Sequence, residues 1–444
     1  MKLPHAGSEH SAIPQAASRT PLSVATRIGA TGSMPAVVAA AAAASAALRH
    51  QFSTGITICL VVSLVLIPVW WGALRGYRMG RTIVILGTLA AIVGAAISLT
   101  DSTRAFSMML LQGQTLNFLS FVGSIGLLIW CREQIGLSWT AIWYGIGSLM
   151  EVALSGVDPA NAWKYTLAFP ISIAVLAVVA TFRSRALEVV ALLVLAGVSV
   201  LSDSRSFTAF LLLTAVIIAA QVVLGSDTVR LRAWHVVLLF GTLAVSAYNI
   251  FQAMMLDGML GDYAQQRTQA QVEASGSLIT GGRPEIGASW ALIRANPWGY
   301  GSGTIPNSTD VWTAKSGMSA LNYDPDNGYV EHYMFGGQFE LHSVLGDLWI
   351  RFGPLGAIFA LVLLGCAVYG VARVVSQRSA TAVVVLLMLL VAWDTFFSPI
   401  LPSYRALALI FPLTAIPLGR HGPEDSSGAV DGVSRAGRRA LGRG

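Results

Sequence analysis

From residue 35 to residue 418 the chain is a train of apolar runs, and only one of the polar breaks between them is long. A run of roughly twenty apolar residues carries an α-helix across the hydrocarbon of a bilayer. Lipid offers no partners to backbone N–H and C=O groups, so such runs fold as helices that bond internally. Composition points the same way: 55% of the residues are hydrophobic and 11% charged, against about 25% charged in a soluble protein. The expected fold is an all-α polytopic membrane protein of about twelve transmembrane helices. They are expected at 35–48, 54–74, 82–99, 114–131, 138–155, 165–182, 186–202, 206–224, 234–256, 353–372, 380–398 and 402–418. Several are short, the Ala-rich first one most of all.

The formal net charge of +6 forms no single basic patch, which argues against a nucleic-acid partner. The bases instead follow the positive-inside pattern. With the N-terminus in the cytoplasm, the short inner loops hold Arg75, Arg78, Arg81, Arg132, Arg183, Arg185, Arg230, Arg232, Arg373 and Arg378. The short outer loops hold Arg49, Arg104, Lys164, Arg205 and Arg405. This orientation puts the large loop between helices 9 and 10, residues 257–352, outside. Residues 1–34 are rich in Ser, Ala and Pro, and residues 419–444 in Gly and Arg, so both read as disordered cytoplasmic tails. Cys59, Cys131 and Cys366 all fall in or beside apolar runs, so neither a disulfide nor a cysteine metal site is expected.

Ionisable groups in or near membrane helices are costly and mark function by default. Here they lie towards the outer side: Glu151, Asp203, Arg205, Asp394 and Arg405, with Glu188 alone near the inner side beside Arg185. Each has a structural reading beside the functional one. Glu151 suits a carboxylate paired with a neighbouring helix, Asp394 and Arg405 suit each other, and Asp203 suits a cap on the eighth helix. A transporter or flippase sets its polar groups near the bilayer midplane, and no such set is present.

The segment from Asp257 to Leu341 carries nine acidic residues against four basic ones and many aromatics, among them Trp290, Trp298, Tyr300 and Tyr329. Aromatic faces with carboxylates and amides suit the C–H faces and hydroxyls of a neutral sugar; the competing reading is an interfacial aromatic belt. In Gly281-Gly282-Arg283-Pro284-Glu285, Pro284 fits a first helical turn. Ile286, Trp290 and Ile293 follow at i, i+4 and i+7, one helical face, and Asn296-Pro297 ends the helix. Arg283 thus stands at a helix N-terminus, where anions are favoured, and its planar fork matches phosphate oxygens. Arg205, in Ser202-Asp203-Ser204-Arg205-Ser206, is a second arginine on the same side. Either arginine alone also reads as a headgroup-level side chain. Gly299-Tyr300-Gly301-Ser302-Gly303 is read as a tight turn, because it does not open between a strand and a helix as a nucleotide loop does. His342 opens what reads as a short amphipathic surface helix before Phe352-Gly353-Pro354 and the tenth span. Histidine at the water–lipid boundary is a candidate general base, with His332 as its competitor within the loop. Asp324-Pro325-Asp326 is the nearest approach to a metal-holding carboxylate pair, and it reads as a turn.

Ser204-Arg205-Ser206 opening a span, Arg283 and Trp290 followed by Asn296-Pro297, Gly299 and Gly301, and His342 followed by Phe352-Gly353 resemble the O-antigen ligase and O-antigen polymerase superfamily. The resemblance covers roughly residues 195–372. It implies a membrane glycosyltransferase of the C-type fold at the outer face of the bacterial cytoplasmic (inner) membrane. The implied reaction transfers a glycan from undecaprenyl pyrophosphate to a sugar hydroxyl of a glycan or glycolipid acceptor, with inversion and without a metal or other cofactor. By the same resemblance Arg205 and Arg283 bind the pyrophosphate and His342 assists the acceptor hydroxyl. Ser343 stands where the family commonly has Asn, and no other arginine, Arg351 and Arg405 included, has as clear a match as Arg205 and Arg283. Polymerase and ligase differ in acceptor rather than in these motifs, so both stay open. The alternatives are a transporter or lipid-linked glycan flippase, and a non-catalytic envelope assembly protein.

Overall fold

The computed structural model describes residues 34–223 and 283–418, together with residues 235, 238, 241, 265, 266 and 269. Apart from those isolated positions, the span expected at 234–256, the loop segment 257–282 and the two tails lie outside the described residues.

The described chain is helical but for a small hairpin, β1 (Gln51–Ser53) and β2 (Ile56–Thr57). The first half holds α1 (Met34–Ser45), α2 (Ile58–Val65), α3 (Ile67–Ala73), α4 (Gly80–Thr100), α5 (Met108–Ile135) and α6 (Leu137–Ser155). A π-helical turn (Trp163–Leu167) leads into α7 (Ala168–Thr181), then α8 (Arg185–Leu201) and α9 (Arg205–Val223). After the undescribed segment come α10 (Glu285–Ala295), α11 (Ser308–Ser319), α12 (Val344–Ser376), α13 (Ala382–Phe397) and α14 (Ile400–Thr414). Among the described residues five helices are long and apolar enough to cross a membrane: Gly80–Thr100, Met108–Ile135, Trp163–Thr181, Arg205–Val222 and Val344–Ser376. The α2–α3 pair makes a sixth if counted as one span, broken by a 74° bend. Pro68, without an N–H, fits the first turn of α3 and restarts the helix there. These helices make the chain a multi-pass, all-α membrane protein. α1, α13 and α14 are apolar but shorter.

Small residues let the helices approach closely. In α4, Gly87 meets Val122 and Phe359, and Gly94 meets the backbone of Arg351 and Phe352, so α4 and α12 run antiparallel. Phe118 of α5 stacks on Phe352 at 4.3 Å between ring centroids, and Phe121 on Tyr404 at 4.7 Å. These contacts fix which ends meet. One end gathers the N-terminal turns of α5, α12 and α14 with the C-terminal turns of α4 and α13. At the opposite end Arg132 donates to the carbonyls of Pro412 and Ala415, both at 2.8 Å. Gln221 at the end of α9 reaches the Ala380 carbonyl just before α13. With Phe210 against Trp393, α9 therefore starts at the same end as α13 finishes.

The embedded charges are mostly answered locally. Glu188 pairs with Arg185 at 2.8 Å and accepts the N–H of Ala382. One Glu151 oxygen accepts the N–H groups of Arg49 and His50 at 2.9 and 3.0 Å. The expected Asp394–Arg405 pair is not among the ion pairs of the described residues, and Nε of Arg405 is buried without a partner. Asp203 is no cap. It sits at a left-handed corner (φ 48°) between α8 and α9 and pairs with Arg205.

A second correction concerns residues 340–352. They form no surface helix: His342 precedes α12, and Val344, together with every residue from Gly346 to Gly353, is buried. α12 bends at Gly353, whose φ of 66° and ψ of −162° lie outside the helical region. Pro354 has no N–H to give the carbonyl of Ile350 four residues back. The N–H groups of Tyr300 and Gly301 take that place, at 2.7 and 3.0 Å. The glycine-rich turn is thus wedged between α4 and α12, and Ser302 and Gly303 bond to Gly94 and Ser98 of α4. Gly299 and Gly301 have φ of 86° and 97°, and a Cβ at Gly299 would strike the Trp349 carbonyl. The sequence reading of this segment as a turn stands; its place inside the helix packing was not foreseen.

Candidate functional site

The described part of the large loop is a small helical layer on that end of the bundle. Asn307 and Asp310 cap α11 reciprocally, and Gly287 of α10 lies against Gly317 of α11. Arg104, in the α4–α5 connection, grips the buried Asp310 through Nε and Nη2 at 3.0 and 2.9 Å. It lies 4.6 Å from the Tyr300 ring centroid. The hydrogen bonds to Asp310, followed by their charge attraction, push the Arg104 pKa up, while burial pushes Tyr300 up to about 12. Asp347 ties the layer to the bundle. One of its oxygens accepts the N–H of Leu341 at 2.6 Å, and the other accepts that of Ile400 at 2.9 Å.

Between layer and bundle lies a cavity of about 510 Å³ whose wall includes both Arg283 and His342. The two were singled out separately, some sixty residues apart, and the fold brings them to one space. Ile286, Trp290 and Ile293 also face it. That stripe is therefore cavity wall, with Ile293 also packed on the core of the layer, while α10 buries Ala288 and Leu292 fully. The wall continues past the Gly353 bend through Ala357 and Leu361 and across to Phe396 and Phe397 of α13. A charged, polar rim thus passes into an apolar trough along two apolar helices.

Pro284 precedes the first turn of α10 and leaves Arg283 at the helix end, its guanidinium 5.7 Å from the Trp393 ring centroid. Beside it, the Tyr329 hydroxyl donates to Glu285 Oε1 at 2.5 Å. Burial, then that hydrogen bond, pushes the Tyr329 pKa up, and the Arg283 charge opposes the shift. The second Glu285 oxygen and Nδ1 of His342 are buried without a hydrogen-bond partner, though buried polar atoms are normally paired. Both residues line the cavity. His342 holds a left-handed backbone (φ 53°), an unusual state for a non-glycine residue, with its ring centroid 6.1 Å from that of Tyr329.

Arg205 stands apart. It does not line the cavity, and it pairs with Asp203 at 3.0 Å, both side chains well exposed. Such a pair is weak. Trp393 connects the two regions, carrying Arg283 on its ring and Phe210 at 5.8 Å. Arg205 lies five residues before Phe210, about 7.5 Å along the helix. His332 is exposed on a π-helical turn away from the cavity wall. The Asp324–Asp326 segment is a turn in which Asp324 accepts the N–H of Asp326 and Lys315 bonds to the Asp326 carboxylate.

Sequence reasoning did not single out Glu285, Tyr329 or Trp393 as site residues. Glu285 had a signal, a carboxylate beside Arg283 in the first turn of a helix. Tyr329 and Trp393 had none, since only folding brings them to Arg283. Comparison with protein-family models, curated proteins and solved structures finds no match for the chain.

Proposed function

We propose that this protein is a metal-independent, inverting glycosyltransferase of the bacterial cytoplasmic membrane, of the O-antigen polymerase or ligase kind. It moves a glycan from undecaprenyl pyrophosphate to a sugar hydroxyl at the outer face. The observation that carries this reading is the shared cavity: Arg283 and His342 on a polar rim, with an apolar trough running on past Gly353 to Leu361 and Phe397. A polyprenyl tail needs the trough and its pyrophosphate needs the rim. A fully soluble sugar nucleotide needs no trough, and a transported ion needs neither.

In the proposed reaction the acceptor oxygen attacks the anomeric carbon and passes its proton to His342. The bond from that carbon to the pyrophosphate oxygen breaks, and the negative charge released there is stabilised by Arg283. A positioned base contributes about 10²–10⁴-fold. Fixed cations in a partly dry site stabilise a leaving anion strongly. Arg205 is assigned to the same anion after it exchanges its exposed partner Asp203 for phosphate, which costs little because that pair is weak.

The test is direct. Purified full-length protein is incubated with an undecaprenyl-pyrophosphate glycan, with and without a glycan or glycolipid acceptor, and products are read by mass spectrometry. Lengthened donor indicates a polymerase, and glycan on a separate acceptor a ligase. No transfer to any acceptor by folded protein, or full transfer by His342→Ala, overturns the reading.

A further inference from the structure

A second cavity, of about 210 Å³, opens at the same end of the bundle among α1, α5 and α14. It is not part of the site above. Leu345 and Trp349 of α12 line the larger cavity, whereas Arg351, across the helix axis from Trp349, acts electrostatically on Tyr404 in the wall of the smaller one. Arg49 reaches into this smaller space, with its guanidinium over the Tyr404 ring at 5.0 Å. One guanidinium nitrogen donates to the Leu401 carbonyl. No carboxylate among the described residues pairs with Arg49. Glu151, the nearest candidate, spends its oxygens on the backbone N–H groups of Arg49 and His50 and on Ser155. A second cation, Arg405, is close enough to oppose the charge of Arg49, and its Nε is buried without a partner. The surrounding protein strips water from Arg49 and pushes its pKa down to about 10, with Arg405 adding to the shift.

Two more donors face the same space. Tyr404, 4% exposed, lines it with its phenol hydroxyl, and Asn117 lines it with its amide. Three donors, one charged and with no carboxylate opposite it, line one space. A planar guanidinium beside hydroxyl and amide donors matches an anion with several oxygens. We propose that this cavity binds a phosphate ester, with Arg49, Asn117 and Tyr404 as its donors. The site is separate from glycan transfer and does not rest on that reading.

The experiment uses the full chain in detergent and native mass spectrometry, with phosphatidylglycerol, diacylglycerol and inorganic phosphate as probes. Phosphatidylglycerol is retained and diacylglycerol is not. Arg49→Gln weakens retention about tenfold or more, and Arg294→Gln, which removes an exposed arginine elsewhere, does not. Phosphatidylglycerol that inorganic phosphate cannot displace identifies a lipid headgroup as the source. Displacement by inorganic phosphate identifies a soluble phosphate. Should Arg49→Gln not fold, Asn117→Leu, which fills the cavity and leaves Arg49 in place, carries the same comparison. Equal retention by wild type and the folded variant, or no phosphate binding in either form, overturns the site.

Discussion

At Arg283 the geometry separates shape from charge. Its guanidinium lies on Trp393 at the start of α10, where a planar fork presents two parallel donors to phosphate and an ammonium presents a point. Arg283→Lys is expected to lower glycan transfer about a hundredfold, the scale for losing a fixed donor to a developing anion, while the melting temperature stays near wild type. Unchanged turnover in the lysine variant assigns Arg283 to packing against Trp393. His342→Ala is expected to cost about 10²–10⁴-fold, whereas His332→Ala, altering an exposed residue off the cavity wall, leaves the rate unchanged. Parallel loss in the two histidine variants, followed in the same assay, defeats the assignment of the base. The sequence carried these residues but not their company. Arg283 and His342 were legible because helix-end chemistry and boundary placement are local. Glu285, Tyr329 and Trp393 were not, because a hydrogen bond across 44 residues and a ring contact across a still longer stretch leave no periodic trace.

At the scale of elements, the glycine turn and the α12 bend are one unit. Pro354 orphans the Ile350 carbonyl, and the backbone of Tyr300 and Gly301 answers it. Gly299→Ala puts a Cβ into the Trp349 carbonyl at a φ of 86°. The left-handed conformation alone costs about 1–2 kcal/mol, and the displaced turn leaves a buried carbonyl unpaired. Lower thermal stability and weaker transfer should appear together in this variant; a wild-type melting curve with wild-type activity counts against the coupling. The same layer responds to acid. Burial favours the protonated form of Asp101, but hydrogen bonds from Thr103 and Arg104 outweigh it and hold its pKa below the usual range. The Lys315 hydrogen bond does the same for Glu331. A depressed carboxyl stabilises the fold above its unfolded pKa, near 4, and loses that contribution as pH falls through the folded value. Protection factors for amide exchange in residues 308–334, corrected for the intrinsic rate at each pH, should therefore fall below about pH 4, and protection that is flat down to pH 3 refutes this. Element type was legible in the described apolar runs, since apolar length dictates helix, but the β1–β2 hairpin left no such signal. The Ile286–Trp290–Ile293 spacing gave the helix but not what it faces, because periodicity reports an apolar face without saying whether core or cavity lies against it.

At the scale of the whole molecule, apolar length and composition foretold a polytopic helical protein, and five helices among the described residues meet the length and hydropathy needed to cross a membrane. Of the twelve expected spans, the one at 234–256 lies outside the described residues, and segments such as α13 and α14 are helical but short, where crossing depends on tilt and neighbours as well as length. Sidedness is open to measurement. The arginine and lysine asymmetry predicts that Ser319→Cys is labelled by an impermeant thiol reagent in intact cells and Ser427→Cys is not. Equal labelling of the two reverses or voids the orientation, and with it the outer-face placement of the reaction.

Asp347 also bears on the order in which the protein is made. Its carboxylate joins Leu341, immediately before His342, to Ile400, the first residue of α14. Chains fold progressively as they emerge, N-terminal parts first. The strap that carries His342 therefore has only half its anchor until the last described helix has been synthesised. A chain stopped before residue 400 holds a buried carboxylate oxygen with no partner, which is costly. The segment before His342 thus gains its second anchor only when α14 packs, so its placement waits on a helix far downstream in the chain.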